Sequence, residues 1–446
     1  MNAELIAHLE TATEPLFVAR TGRLRWADES WHRAQFARDP GRYALLGLVP
    51  GVRSEQRARI LLQLLGSSWA GLDDEARSTV DRVARVLVLG LPAATVLTVL
   101  LTLRHRRVNH KHVTRTAVRL LAEHPGAGTL MGTHRRALVA ALEHALGKAT
   151  ARGCARELLD GPGGAHTRRA LGRFTADAAL AEARFRTLYA AGSAIVDVTD
   201  PTDATDVVEP PAMVDLDLDG DRPATVTATN RGDVAATLVH LYRGGAAPQL
   251  RSALDGYVER LATASPAYPG TLALVLDRSA SMRGYGDREW AVLSQAEALR
   301  LMCERRCDRL VVVPVGGDGE HPGGATDLAT GVLDALACGP DLVAVVSDGY
   351  ENVYPGDLAR VTATLPRAGV RVPVVFCHSA YGHSDDLTLR RPAPALPQRA
   401  FWHEADLGPL LLWLLAHTDT ARADRALTEA LDRRLSRVED RLSRKE

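Results

Sequence analysis

From Thr271 to Thr418 the chain alternates short, continuous apolar runs with helical stretches, and this alternation constrains the fold more than any other feature. The runs TLALVLD, DRLVVVPVG, DLVAVVSDG and VRVPVVFCH lack the period-two polarity of a strand with one wet face, so each is expected to be covered on both sides. Helical patterns over REWAVLSQAEALRLMCERR, LATGVLDALAC and DLARVTATLPRA separate them, and DLGPLLLWLLAHT closes the series. Such a repeat predicts an α/β doubly wound domain with a parallel, Rossmann-like sheet over residues 270–418.

In an open α/β sheet, ligands bind beyond the carboxyl ends of the strands. Three loops at those ends carry oxygen donors. The first strand runs into Asp277-Arg278-Ser279-Ala280-Ser281, the second is followed by Gly323-Gly324-Ala325-Thr326-Asp327, and the third ends in Ser347-Asp348-Gly349. Two carboxylates with hydroxyls suit a hard divalent cation, so Asp277, Ser279, Ser281, Thr326 and Asp348 are the expected ligands of Mg²⁺ or Mn²⁺. A hydrolase would need a general base or a second metal nearby. Glu351 and His321 are the nearest candidates, and a solvated loop charge accounts for either, so no enzymatic activity is expected.

DRSASM, GGATD and SDG, in this order and each after the expected strand, resemble the metal-ion-dependent adhesion site of von Willebrand factor A domains. The resemblance covers about a third of the chain. It implies direct coordination by Ser279, Ser281 and Thr326, with Asp277 and Asp348 acting partly through water. It also implies a protein partner whose acidic residue completes the metal shell. Ala325, inserted between the glycines and Thr326, departs from the commoner GGT form.

A chain of 446 residues exceeds one core, and its 46% apolar and 24% charged residues match a globular protein. Residues 1–190 predict an all-α, HEAT-like helical-repeat region, with apolar positions every three or four residues and Gly or Pro at the joins. Ser54 and Pro92 mark two of the expected helix starts. Residues 191–235 form an acidic linker in which MVDLDLD and ATVTATN predict a β-hairpin. Its DLDLDGD phrase imitates a calcium loop but has Val226 where the bidentate Glu belongs, so it reads as a solvated acidic strand. A connecting helix is expected over 236–269, and an amphipathic helix over 419–446 carries Leu427, Leu431, Leu435, Val438 and Leu442 on one stripe. Cys303 and Cys307 lack a second metal-spaced pair, and all five cysteines read as reduced thiols. With no signal-like N-terminus and no long apolar run, a cytoplasmic protein without membrane contact is expected.

The formal net charge is zero, yet residues 104–173 hold fourteen Lys or Arg against four Asp or Glu. Arg104, Arg106, Arg107, Lys111 and Arg115 are the expected core of a stripe able to follow a phosphate backbone. The phrase QLRSALDGYVERLATASPAYPGTLALVLDRSASM is similar to the junction into the metal domain of TROVE proteins of the Ro autoantigen family, whose helical ring binds misfolded and Y-type RNA. The architecture equally resembles bacterial proteins that pair a helical segment and such a metal domain with a MoxR-type AAA+ ATPase. The expected function is therefore a metal-dependent protein-interaction scaffold, with structured RNA on the basic helices as the alternative.

Overall fold

The structure, a computed structural model, describes residues 2–11, 13–14, 16–18, 23–160, 164–175, 177–190, 212–317, 322–385, 387 and 390–445. It divides into two compact units: residues 9–48, 52–216 and 431–446 form a helical unit, and residues 1–8, 49–51 and 217–430 form an α/β unit.

The N-terminal half is built from α1 (Asn2–Glu10), a short antiparallel pair β1 (Phe17–Val18) and β2 (Arg23–Leu24), then α2 (Glu29–Arg38), α3 (Pro40–Leu46), α4 (Ser54–Gly66) and α5 (Asp74–Gly90). It continues through α6 (Ala93–His105), α7 (Lys111–Ala122), α8 (Ala127–Thr133), α9 (Arg135–Leu146), α10 (Lys148–Asp160), α11 (Ala165–Leu171) and α12 (Ala178–Ala190). The helices stack in series: α4, α6 and α9 follow one another in one layer, and α3, α5, α7 and α12 in the other. Apolar residues dictate this. In α5 the residues Val80, Val83, Ala84 and Leu87 are buried, and Asp73 caps the helix by accepting from the Ala76 amide. The cap expected from Ser54 is not made: Ser54 is the first residue of α4, and Arg53 precedes it with its amide donated to the Leu9 carbonyl.

Ahead of the sheet, the main segment of the α/β unit carries α13 (Asp233–Tyr242) and α14 (Ala247–Ala264), so two helices stand where one connecting helix was expected. The sheet contains β3 (Tyr268–Asp277), β4 (Cys307–Val315), β5 (Leu342–Ser347), β6 (Val374–Ser379) and β7 (Gln398–Phe401), all parallel in the order β4-β3-β5-β6-β7. The helices are α15 (Ala280–Arg283), α16 (Ala291–Arg306), α17 (Leu328–Ala337), α18 (Asp357–Thr364), α19 (Leu407–Ala416) and α20 (Ala421–Lys445). Ala273, Val275, Val343, Val345 and Phe376 pack with Leu328, Val332 and Leu358 of α17 and α18. Alternate residues point the other way, and α16 and α19 lie against each other and against strands of the sheet. β4 is one of the two edge strands, which explains its half-buried residues and tolerates Pro314. β7 was not anticipated, because QRAF is four residues long and only its Phe401 is buried.

The hairpin expected over 191–235 is absent from the described part of that segment, which holds no strand from residue 212 to 232; residues 191–211 lie outside the described residues. The alternating residues find separate partners instead. In the helical unit, Leu216 is buried against Gly90 and the Met213 amide donates to the Leu89 carbonyl. In the α/β unit, Asp217 accepts from the Gly51 amide at 2.7 Å. Arg231 is fully buried and donates to the carbonyls of Ala380, Trp402 and Tyr381, beyond the ends of β6 and β7. From residue 431 onward, α20 belongs to the helical unit, burying Leu431, Leu435, Val438 and Leu442, with Glu439 accepting from Arg82.

Candidate metal centre

The strand order fixes where the oxygen-bearing loops meet. β3 lies between β4 and β5, so the chain leaves β3 toward one side and returns to the other, and the crevice at such a reversal is the usual ligand site of an open sheet. Asp277 ends β3, the loop bearing Thr326 follows β4, and Asp348 directly follows β5. The three loops are tied together. The Arg278 amide donates to the Val315 carbonyl, the Gly323 amide to the Arg278 carbonyl, and the Thr326 amide to Asn352 Oδ1 at 2.6 Å. Gly316 has φ +75°, and a Cβ there would lie 2.9 Å from the Ser279 backbone, so only glycine permits this approach of the β3 and β4 loops.

All five expected ligands lie at this edge. Asp277, Ser279 and Thr326 have no exposed surface and Asp348 retains 5%. Asp277 accepts from the Ser279 amide at 2.8 Å and from the Ser347 hydroxyl at 2.5 Å. The Ser279 and Ser281 hydroxyls are 3.0 Å apart, and Ser281 bonds onward to the Asp348 carboxylate. Asp277, Ser279, Ser281 and Asp348 thus form one continuous chain of oxygens. Burial pushes the Asp277 carboxyl up to about 6 against its hydrogen bonds, and the neighbouring Asp348 carboxylate adds to the rise. Burial raises Asp348 as well. Two adjacent carboxyls held out of water are costly to ionise together, and a divalent cation offsets that cost.

Thr326 Oγ1 supplies the fit test. It is buried and has no hydrogen-bond partner among the described residues, an uncommon state for a hydroxyl, whose desolvation without a partner costs about 1–3 kcal/mol. Its backbone, by contrast, is fixed on both sides, the amide on Asn352 and the carbonyl on the Val353 amide at 3.4 Å. A rigidly placed, unsatisfied oxygen beside a chain of carboxylate and hydroxyl oxygens fits an all-oxygen Mg²⁺ or Mn²⁺ site. The insertion of Ala325 leaves Asp327 as the N-cap of α17, its side chain accepting from the Thr330 amide.

Sequence reading missed Ser347 and Asn352, which orient Asp277 and Thr326. The signal for Ser347 was its place at the end of β5 beside Asp348; Asn352 left none. Glu351 accepts from the amides of Gly356 and Leu358 at 2.6 and 2.9 Å, so its carboxylate is committed to the loop leading into α18. His321 lies outside the described residues.

The basic stretch behaves differently. Arg106 pairs with Glu29 at 2.5 Å and lies over the Trp26 ring, and Arg115 pairs with Asp81 at 2.7 Å. Arg152 and Arg168 meet Glu143 and Glu182. Of the five residues expected to lead an RNA stripe, Arg104, Arg107 and Lys111 remain exposed, grouped where α6 turns into α7.

No protein-family model matches the chain, and no curated protein matches it. Among solved structures it is similar to the crystal structure of the Deinococcus radiodurans Ro (RSR) protein, at 13% identity and a TM-score of 0.35 over 93% of this chain and 99% of that one. A likeness of this degree carries no functional conclusion. No helix among the described residues is long and apolar enough to cross a membrane.

Proposed function

We propose that the chain binds one divalent cation through Asp277, Ser279, Ser281, Thr326 and Asp348 and uses it to hold an acidic side chain of a partner protein. The observation that supports this best is the buried Thr326 hydroxyl, unpartnered among the described residues, at the edge where four further oxygen-bearing side chains gather. The loop phrases resemble the adhesion site of von Willebrand factor A domains, where a partner carboxylate completes the coordination shell. A MoxR-type ATPase is one partner that the resemblance suggests. The bound cation would supply a fixed positive charge; the chain's own residues set its position and exclude competing water. Of the two candidate bases near it, Glu351 is bonded to backbone amides and His321 lies outside the described residues. Thermal unfolding tests the reading. Mg²⁺ at about 100 times its Kd should stabilise the wild type by about 2.7 kcal/mol, and Asp277→Ala should erase that increment. A wild type indifferent to Mg²⁺ and Mn²⁺ at millimolar concentration would overturn it.

The second reading, RNA held on the helical unit, is favoured by the exposed Arg104, Arg107 and Lys111 at the α6–α7 corner. Three phosphate contacts predict a log–log salt slope of roughly −2 to −3. Filter binding of a structured RNA that finds no retention at low salt removes this reading.

A further inference from the structure

We infer that Tyr285, Tyr350 and Tyr354 form the protein-docking face around the cation site, and that they select a polypeptide presenting one carboxylate among uncharged residues. This rests on the cation reading above and adds what surrounds the metal. Tyr285 is 87% exposed, Tyr354 61% and Tyr350 51%, and they make up half of the exposed large hydrophobic side chains among the described residues. Tyr350 and Tyr354 stand in the loop after β5 that carries Asp348, and Tyr285 stands in the loop that follows α15, the short helix containing Ser281. Tyr285 follows Ser281 by four residues, and the Tyr350 amide donates to the Asp348 carboxylate at 3.2 Å. Tyr354 lies in the loop whose Asn352 and Val353 hold the Thr326 backbone.

The Tyr285 loop is built to present its ring. Gly284 and Gly286, with φ of +69° and +59°, turn the chain on either side of it. The loop is closed at its base by the Trp290 amide donating to the Arg283 carbonyl at 2.6 Å. Trp290 holds a left-handed φ of +70°, which is rare for an aromatic residue. Its ring stacks on Tyr242 and lies beneath the Arg283 guanidinium, which in turn pairs with Glu289. A local backbone cost held in place by packing, with an almost naked tyrosine at the tip, is the arrangement expected at a binding loop. Tyrosines that lose only two rotatable bonds give large contact area at low entropic cost.

The charges around the rings choose the partner. Arg283 pairs with Glu289, Arg288 with Asp385 and Asp357 with Arg360, while Glu351 is bonded to backbone amides. Arg390 lies over one face of Tyr350 and faces Asp385. Asp287, beside Tyr285, is an exposed carboxylate in the same loop, so among the described residues the rim offers aromatic faces, hydroxyls and no cationic track around the positive point that a bound cation would supply. A polypeptide carboxylate among uncharged neighbours complements that field. A nucleic-acid strand, with a charge on every phosphate, would need a cationic track that these paired residues do not provide.

The test uses the full chain and a library of twelve-residue peptides with a fixed central Asp and random uncharged flanks, selected with Mn²⁺ present and eluted with EDTA. The inference predicts cation-dependent binders. Each of Tyr285→Ala, Tyr350→Ala and Tyr354→Ala should weaken the best binder at least about tenfold, with Mn²⁺ affinity by calorimetry changed less than about twofold. A triple alanine variant that binds the peptide as the wild type does overturns the inference. So does a wild type that takes up Mn²⁺ but yields no binder, or one that holds a mixed-sequence single-stranded RNA through the tyrosines. A wild type that takes up no Mn²⁺, yet whose peptides resist EDTA, come off in acid and depend on the tyrosines, removes the cation reading and supports the docking face. One that does neither overturns both.

Discussion

The carboxyl edge of the sheet and the basic corner of the helical unit both concentrate polar side chains, but their partners come from different places. At the sheet edge, Asp277, Ser279, Ser281 and Asp348 bond to one another and to neighbouring loops, and the Thr326 hydroxyl has no partner among the described residues. In the helical unit, Arg106 and Arg115 reach Glu29 and Asp81, acids outside the basic stretch of sequence. Local charge density therefore counted cations that folding pairs with acids from elsewhere in the chain, whereas strand order alone brings the sheet-edge side chains together. A net excess in a window of sequence says little until the partners brought by folding are counted. Donors at the ends of adjacent parallel strands are neighbours whatever else the chain does.

The comparison breaks most visibly if the two features are linked. Asp277→Ala should reduce Mn²⁺ affinity at least about a hundredfold, roughly the 2.7 kcal/mol of two decades, and leave any RNA retention unchanged. A loss of both from this one substitution would show that the units do not act independently.

Acid should strain both units alike. Burial holds His112 in the helical unit and His378 in the α/β unit down at about 4, so each is neutral when folded. The unfolded chain, with histidine near 6.5, binds more protons between those values. The stability each contributes is thus complete above about pH 6.5 and is lost as pH falls toward 4, on the order of 2–3 kcal/mol per site. Urea unfolding at pH 7 and pH 4.5 should record the loss, and His112→Gln should flatten it for the helical unit. An unchanged pH dependence in that variant would contradict the assignment.

A smaller effect separates cations used internally from those left to solvent. Arg106→Ala removes a half-buried ion pair and a stacked ring and should cost the helical unit about 1–2 kcal/mol. Arg104→Ala, at an exposed position, should stay within about 0.5 kcal/mol. Equal costs in urea unfolding would mean that the ion pair with Glu29 does not distinguish the two residues.

Much of the α/β unit was legible because buried parallel strands are written as unbroken apolar runs, and four of the five strands could be read that way. The fifth, QRAF, is an edge strand too short and too polar to announce itself. That the five candidate ligand residues gather at one edge of the sheet was legible for the same reason, since they lie at or just beyond strand ends and at the starts of the following helices. Ser347 and Asn352 escaped because their roles depend on contacts between loops. MVDLDLD misled because alternation signals a sheet only when one face is shared. Here Leu216 is buried in the helical unit and Asp217 is bonded in the α/β unit, so adjacent residues serve different cores.

The most direct test of the cation site compares calorimetric Mn²⁺ titrations of wild type and Thr326→Val with the stability of each metal-free protein. Because the Thr326 hydroxyl is buried without a partner among the described residues, valine should leave metal-free stability equal or higher. It should nonetheless weaken Mn²⁺ binding about tenfold or more, from a wild type that takes up one ion per chain. A wild type without binding heat at millimolar Mn²⁺, or a Thr326→Val variant that binds the ion as tightly as the wild type, would contradict the account.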